Sequence, residues 1–399
     1  MLDSGPGELR REPLGDGSTR LDLVVDDRTL SHVYIIPLTV AVGAARVRVD
    51  GIGGVWTDEA HRRRGYARRC MEAAVRQMRE GDAALSVLFG IRYFYEQFGF
   101  VPAGPETALY LTELETSPPV PNGRLVRRCE LRDLPAVQAL YAAYTAHSVG
   151  AVARSPEGQV WTKLRTACAD PARDECRVVE APDGAVLGYA WRGTDFWSVD
   201  TEEETPDALT IGEAVACAPK AADVLLAACR AWAVEAMVRR PEITRAKLHV
   251  APEGPVYAAA TRQHSRLELL WLWSGGFCAR TLDTQRLLTA LEPELTRRVR
   301  SAAAGPWGTI HMLTDLGDVA LEVSADGVKV LPPGEPRSGA KALGEVQLAQ
   351  QDLTRLALGT FPPGDVLERL STPPDSDARR WLELLFAQRL PYMHPHDWI

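Results

Sequence analysis

Two hydrophobic periods alternate along the first hundred residues. Arg20–Val25 and Leu30–Thr39 are strand-like runs, and the Asp26-Asp27-Arg28 segment between them predicts a tight hairpin turn. Arg46–Val55 predicts a third strand, with Val47 and Val49 alternating against Arg46, Arg48 and Asp50. Gly51, Gly53 and Gly54 interrupt it, as at a bulge or a close backbone approach. Beyond the charged stretch Asp58–Arg64 the period changes. Ala67, Cys70, Met71, Ala74, Val75 and Met78 recur at i, i+3, i+4, i+7, which predicts a helix stopped by Gly81. Ala84–Phe89 predicts a buried strand, Gly90–Gln97 a turn or short helix, and Phe98-Gly99-Phe100 the start of another strand. The segment is therefore a βαβ unit.

Ser117–Gly123, rich in Pro and Gly, predicts a linker. After it come a strand at Leu125–Glu130 and a helix that Asp133 would cap, with Val137, Leu140, Tyr141 and Tyr144 buried. A hairpin follows around Pro182-Asp183-Gly184. Leu209–Cys217, an Ala-rich helix through Trp232 and Lys247–Val250 repeat the strand–helix–strand order of the first segment. Trp271 and Trp273 alternate with Leu270 and Leu272, a strand pattern expected in the core. From about Gln285 short strands (Thr309–Thr314, Val319–Val323, Val328–Leu331) precede helices at Asp352–Leu358, Asp365–Leu370 and Asp377–Arg389. The fold class is α/β (α+β), with expected domains at 1–118, 119–284 and 285–399.

A chain of 399 residues accommodates two or three domains at roughly 150 residues each. The formal charge of −8 argues against nucleic-acid binding through a broad basic face. Seven scattered cysteines without a Cys-x-x-Cys pair predict reduced thiols, neither zinc ligands nor a disulfide framework. The first twenty residues hold no apolar stretch between Asp3 and Glu12, and no run reaches the ~18 apolar residues of a membrane span, so a cytoplasmic protein is expected.

The informative chemistry lies between Val55 and Ala67. A loop with Gly65 at the start of a helix leaves first-turn N–H groups unpaired and convergent, at the positive end of the helix dipole. Arg62, Arg63 and Arg64 add charge there, and Ala67 keeps the first turn slim. The bland alternative is a solvated basic turn before an ordinary amphipathic helix. A P-loop is excluded because no Gly-Lys-Ser/Thr follows, and Gly51-Ile-Gly53-Gly54 is a poor dinucleotide fingerprint because no helix begins there.

Arg62-Arg-Arg-Gly65-Tyr-Ala67 resembles the Arg/Gln-x-x-Gly-x-Gly/Ala motif of GNAT-superfamily acetyltransferases, and Tyr95-Glu-Gln-Phe98-Gly99-Phe100 resembles their Tyr-x-x-Phe-Gly-Phe/Tyr motif. The His61–Gly65 loop, the length and the Pro391-Tyr392-Met393 ending resemble the enhanced-intracellular-survival (Eis) branch. The resemblance implies two tandem GNAT-like mixed-sheet domains, then a smaller domain similar to sterol carrier proteins, and a homo-oligomer, by family likeness a hexamer. It implies acetyl-CoA as cosubstrate, no metal, and a primary amine of a small molecule or peptide (aminoglycoside-like, polyamine or lysine) as acceptor. Carried over by position, Val55, Trp56 and Thr57 would pair with the pantetheine arm through their backbone. Arg62 to Arg68, including Tyr66, would surround the pyrophosphate, and Gly90 and Ile91 would flank the thioester. Tyr95 would be the general acid and the carboxylate of Ile399 the base. Tyr93 is the competing acid; only Tyr95 stands in phase with Phe98-Gly99.

Other segments have plainer readings. Ala214–Ala221 lacks both the arginines and the glycine of the first loop, so the second domain is expected to bind no coenzyme A. Asp200–Asp207 is read as a solvated acidic loop, and His394, His396 and Asp397 as surface residues at a tail whose removal would cost turnover more than stability. Only about twenty residues precede the Arg20 strand, where the family has a strand and two acceptor-lining helices. That departure supports a second function class, a non-catalytic ligand- or lipid-binding protein on a degenerate acetyltransferase scaffold.

Overall fold

The computed structural model describes residues 7–114, 125–193, 207–302, 305–332 and 341–398. They form two compact units, Met1–Gly104 with Leu272–Pro391, and Pro105–Trp271 with Tyr392–Trp398. The acidic run at 200–207 and Ile399 lie outside the described residues, apart from Asp207.

The first unit opens with β1 (Glu8–Pro13), antiparallel to β2 (Thr19–Val25). The sequence pattern predicts no element at β1 because this edge strand is exposed on both faces and shows no alternation. β2 pairs antiparallel with β3 (Arg28–Val42), with Val25 opposite Arg28. Asp26 and Asp27 both adopt positive φ, 49° and 58°, which matches the turn's twist to that of the strands. β4 (Ala45–Thr57) returns antiparallel to β3. α1 (Tyr66–Glu80) then buries Tyr66, Cys70, Ala74 and Met78, four apart on one face, together with Met71. This face packs on Leu21, Leu23, Val33 and Ile35 of the sheet. No α-helix precedes α1 among the described residues.

β5 (Leu85–Gly90) runs parallel to β4. The strand expected from Phe98 is shorter: β6 is only Val101–Pro102. Both β5 and β6 pair with a strand from far along the chain, Gly276–Thr281. The remainder of this unit is a four-stranded sheet of Gly308–Thr314, Val319–Ser324, Gly327–Leu331 and Ala342–Leu348, with helices Thr284–Arg300, Gln350–Leu358, Pro363–Glu368 and Ser376–Leu385. The Thr284–Arg300 helix pins the β3–β4 turn, because Glu294 accepts the Ala44 N–H at 2.9 Å and bonds Arg297 and Arg298 at 2.7–2.8 Å. Burial raises its carboxyl pKa, but these donors outweigh burial and hold it at about 2.

The second unit is a seven-stranded sheet in which Ala208–Ala216 and Arg245–Leu248 run parallel on either side of helix Pro219–Met237. The echo of β4–α1–β5 is thus real at the level of topology. That helix starts on Ala218 and Pro219, without a left-handed glycine. The tail belongs to this unit and corrects the surface expectation, since His394 and Asp397 are buried. Arg154 forks between two carboxylates, bonding Glu213 at 3.1 and 2.5 Å and Asp397 at 2.7 and 2.8 Å. Tyr189 donates to Glu213 at 2.5 Å and Tyr141 to Asp397 at 3.0 Å, while the guanidinium lies 3.8 Å over the Tyr141 ring. Removing the tail therefore takes away core and leaves a buried arginine with one partner instead of two.

Candidate active site

The register between β3 and β4 shifts where Gly54 and Val55 stand opposite the single residue Val33. Gly54 takes φ +54°, and a Cβ there would lie 2.7 Å from Tyr34 Cδ2, so the bulge needs glycine. Parallel pairing of β4 with β5 covers only Val49–Ile52 against Leu85–Leu88. β4 runs on to Thr57, so the β5-facing backbone of Val55, Trp56 and Thr57 has no strand partner among the described pairings. The opposite edge is fixed: Ser31 Oγ donates to Trp56 O at 2.7 Å and lies 2.9 Å from Thr57 Oγ1. The Trp56 ring stacks on His32 with centroids 5.2 Å apart.

After β4 a short 3-10 turn, Glu59–His61, is capped by Asp58, whose Oδ1 accepts Ala60 N–H at 3.1 Å and contacts His61 Nδ1 at 2.6 Å. The His61 bond, ahead of any burial effect, lowers the Asp58 pKa. The chain then reverses through two left-handed residues, Arg63 at φ +62° and Gly65 at φ +80°. Gly65 is the N-cap of α1, and no side chain caps the first turn. The N–H groups of Tyr66, Ala67 and Arg68 thus have no side-chain cap. A Cβ on Gly65 would meet nothing within 4 Å, so its backbone angle, and not crowding, calls for glycine. Arg62, Arg63, Arg64 and Arg68 are exposed around this turn.

At the end of β5 Gly90 carries the Tyr95 ring on its Cα: a Cβ there would come within 2.7 Å of both Tyr95 Cε2 and Leu88 Cδ1. Tyr95 is 8% exposed and edge-on to Phe94 and Phe100. Burial, with a smaller contribution from Cys278, pushes its hydroxyl up to about 12. The following turn is tied down by Gln350 Nε2, which donates to Gly99 O at 2.6 Å, and by Arg280, which donates to Phe98 O. Tyr93, the rival acid, is solvent-facing at 68% exposure.

Sequence reasoning missed the turn before Gly276–Thr281. Trp271 and Trp273 are exposed, not core: the neighbouring strand ends at Leu270, and four alternating residues were too short a pattern to place them. Among the described residues no cluster of three or more His, Cys, Asp or Glu is placed to hold a metal, and no helix is long and apolar enough to cross a membrane.

Residues 11–103 match the family model described as an acetyltransferase (GNAT) domain. An uncharacterized N-acetyltransferase of Streptomyces griseus is 31% identical over 174 residues, which is 40% of this chain and 40% of that protein; the chain thus spans about two-fifths of the curated relatives it matches. Among solved structures, a GCN5-related N-acetyltransferase from Anabaena variabilis aligns with TM-score 0.69 at 17% identity, over 95% of this chain and 89% of its own. Eis1 from Mycobacterium abscessus aligns with TM-score 0.57 at 18% identity, over 95% and 90%. At these identities the likeness shows the fold: mixed-sheet GNAT-like architecture followed by an α+β region.

Proposed function

We propose that this protein is an acetyl-CoA-dependent N-acetyltransferase acting on a primary amine of a small molecule or peptide. The observation that supports it most is the junction of β4, α1 and β5 within the matched segment. That segment holds an unpaired backbone edge at the end of β4, a helix start without a side-chain cap, and a buried tyrosine just beyond β5. The free edge at Val55–Thr57 suits the amide-bearing pantetheine arm, as an added strand would pair. The first-turn N–H groups of α1 with Arg62, Arg63, Arg64 and Arg68 suit a pyrophosphate. Gly90 and Ile91 would border the thioester.

In the reaction the amine nitrogen bonds to the acetyl carbon and gives its proton to the base, the carbon–sulfur bond breaks, and sulfur takes a proton from Tyr95, which regains one from solvent. A hydroxyl held at about 12 keeps its proton throughout the neutral range, and burial makes it a weaker acid than a free tyrosine, so it gives that proton only as the thiolate develops. The base role expected of the Ile399 carboxylate stays part of this proposal, as do oligomeric assembly, a cytoplasmic setting, the likeness of 285–399 to sterol carrier proteins and the division at 118 and 284. The catalytic module then draws Gly276–Thr281 from outside its own segment. Calorimetry should find one acetyl-CoA site per chain, because the helix Pro219–Met237 of the second unit begins without a left-handed glycine or adjacent arginines. Two equivalent sites would contradict the assignment. The non-catalytic reading predicts binding without amine-dependent thiol release.

A further inference from the structure

Tyr93 is a bulky residue in the left-handed region, at φ +61°, a conformation that costs free energy and needs compensation from its surroundings. Its N–H donates to Ser274 Oγ at 2.6 Å, and Ser274 is 1% exposed. The turn carrying Ser274 is locked to the one carrying Tyr93, since strand pairing sets Gly276 opposite Gly90. Gly275, at φ +80°, lies so close that a Cβ would stand 2.7 Å from Gly90 O and 3.0 Å from Arg92 N. This interlock spends its rigidity on presenting two aromatic rings to solvent. Tyr93 is 68% and Trp273 70% exposed, edge to face with centroids 5.0 Å apart, and Ile91 is exposed on the same turn. A strained backbone held by a buried hydroxyl is not needed to leave a tyrosine in water.

We infer that Tyr93 and Trp273 form the platform on which the acceptor amine is recognised, and that the acceptor carries its amine on an apolar, ring-bearing body. The inference rests on the acetyltransferase reading and narrows its substrate. The platform stands on the turn that leaves the proposed thioester end, Gly90 and Ile91, with Tyr93 turned to solvent and Tyr95 buried. Two large rings with an isoleucine offer stacking and apolar area to a ring-bearing body. A polyamine chain carries no ring to stack there and is the poorer fit.

The test compares 2-phenylethylamine, hexylamine and spermidine as acceptors in wild type, Trp273→Ala and Tyr93→Ala, following coenzyme A thiol release. Both side chains are exposed, so the variants should fold, and circular dichroism checks that they do. The expected result is the lowest KM for 2-phenylethylamine in wild type, raised about five- to tenfold in either variant with kcat and the acetyl-CoA KM little changed. Unchanged acceptor KM in both variants, or a preference for spermidine that survives them, overturns the platform. Direct calorimetry with 2-phenylethylamine separates the two readings. Binding lost in Trp273→Ala without thiol release from any amine keeps the platform and removes the reaction; no binding and no release removes both.

Discussion

Replacing Gly90 by Ala adds one methyl group at the point where Tyr95 rests on the end of β5. Gly90 is not among the positive-φ residues, so alanine fits the backbone and the effect is steric alone. The new Cβ would stand 2.7 Å from Tyr95 Cε2 and from Leu88 Cδ1, against roughly 3.5–4.0 Å for an unstrained carbon contact, so the ring must retreat by about 1 Å. Leu88 can yield by rotation, but Tyr95 is wedged between Phe94 and Phe100. Overpacking of this kind costs about 1–3 kcal/mol, or about 2–10 °C in Tm. A catalytic group misplaced by about 1 Å loses on the order of a hundredfold in rate. Tyr95→Phe keeps the ring and removes the proton, so it should lower kcat by about 10²–10⁴-fold with little loss of stability. If Gly90→Ala acts through the Tyr95 hydroxyl, the double variant should turn over no more slowly than Tyr95→Phe alone. Stopped-flow thiol release and thermal melts of the four proteins decide it. Gly90→Ala with wild-type turnover, or losses that multiply in the double variant, would refute the reasoning.

Gly65→Asp and Gly65→Asn both tolerate a left-handed cap, and the open space beside Gly65 removes any steric difference. Calorimetry should show acetyl-CoA binding weakened at least tenfold more by Asp than by Asn, since only Asp sets a negative charge against phosphate. Glu294 and Glu213 both have carboxyl pKa values of about 2. In each, burial acts to raise the value and is outweighed, by Arg297 and its fellow donors for Glu294 and by Arg154 and His394 for Glu213. A lowered folded-state pKa gives stability above the unfolded value of 4.5 and loses it as pH falls toward about 2. Urea midpoints should therefore drop steeply between pH 5 and about 2.5, and less steeply in Glu294→Gln. Arg154→Met leaves Glu213 and Asp397 buried without their cation and should cost about 3–5 kcal/mol, measured by urea denaturation.

Local signals made much of the first unit legible. The helical spacing from Cys70 to Met78, the left-handed Gly65 before α1 and the aspartates of the β2–β3 turn each encode their own geometry within a few residues. Tyr66, by contrast, takes the buried place expected of Ala67, and Gly81 ends α1 in an extended conformation that any residue adopts. What remained hidden depends on contacts distant in sequence. Arg154 finds partners 59 and 243 residues away, and no periodicity announces a buried charge, so His394 and Asp397 read as surface by residue type alone. Trp273 and Ser274 meet Tyr93 only because Gly276–Thr281 pairs with β5, some 180 residues after it. The Tyr95 motif was visible, but its seat on Gly90 was not.

The central claim is that the β4–α1–β5 segment catalyses acetyl transfer with Tyr95 as acid. Steady-state release of coenzyme A thiol from acetyl-CoA, with and without a panel of primary amines, in wild type and Tyr95→Phe, tests it most directly. The account predicts amine-dependent release in wild type with no alkaline loss attributable to Tyr95 below about pH 11, given a hydroxyl at about 12. It also predicts release at least about a hundredfold slower in Tyr95→Phe, with acetyl-CoA affinity unchanged. Equal amine-dependent turnover in the two proteins, or none in wild type with every amine class, would contradict it.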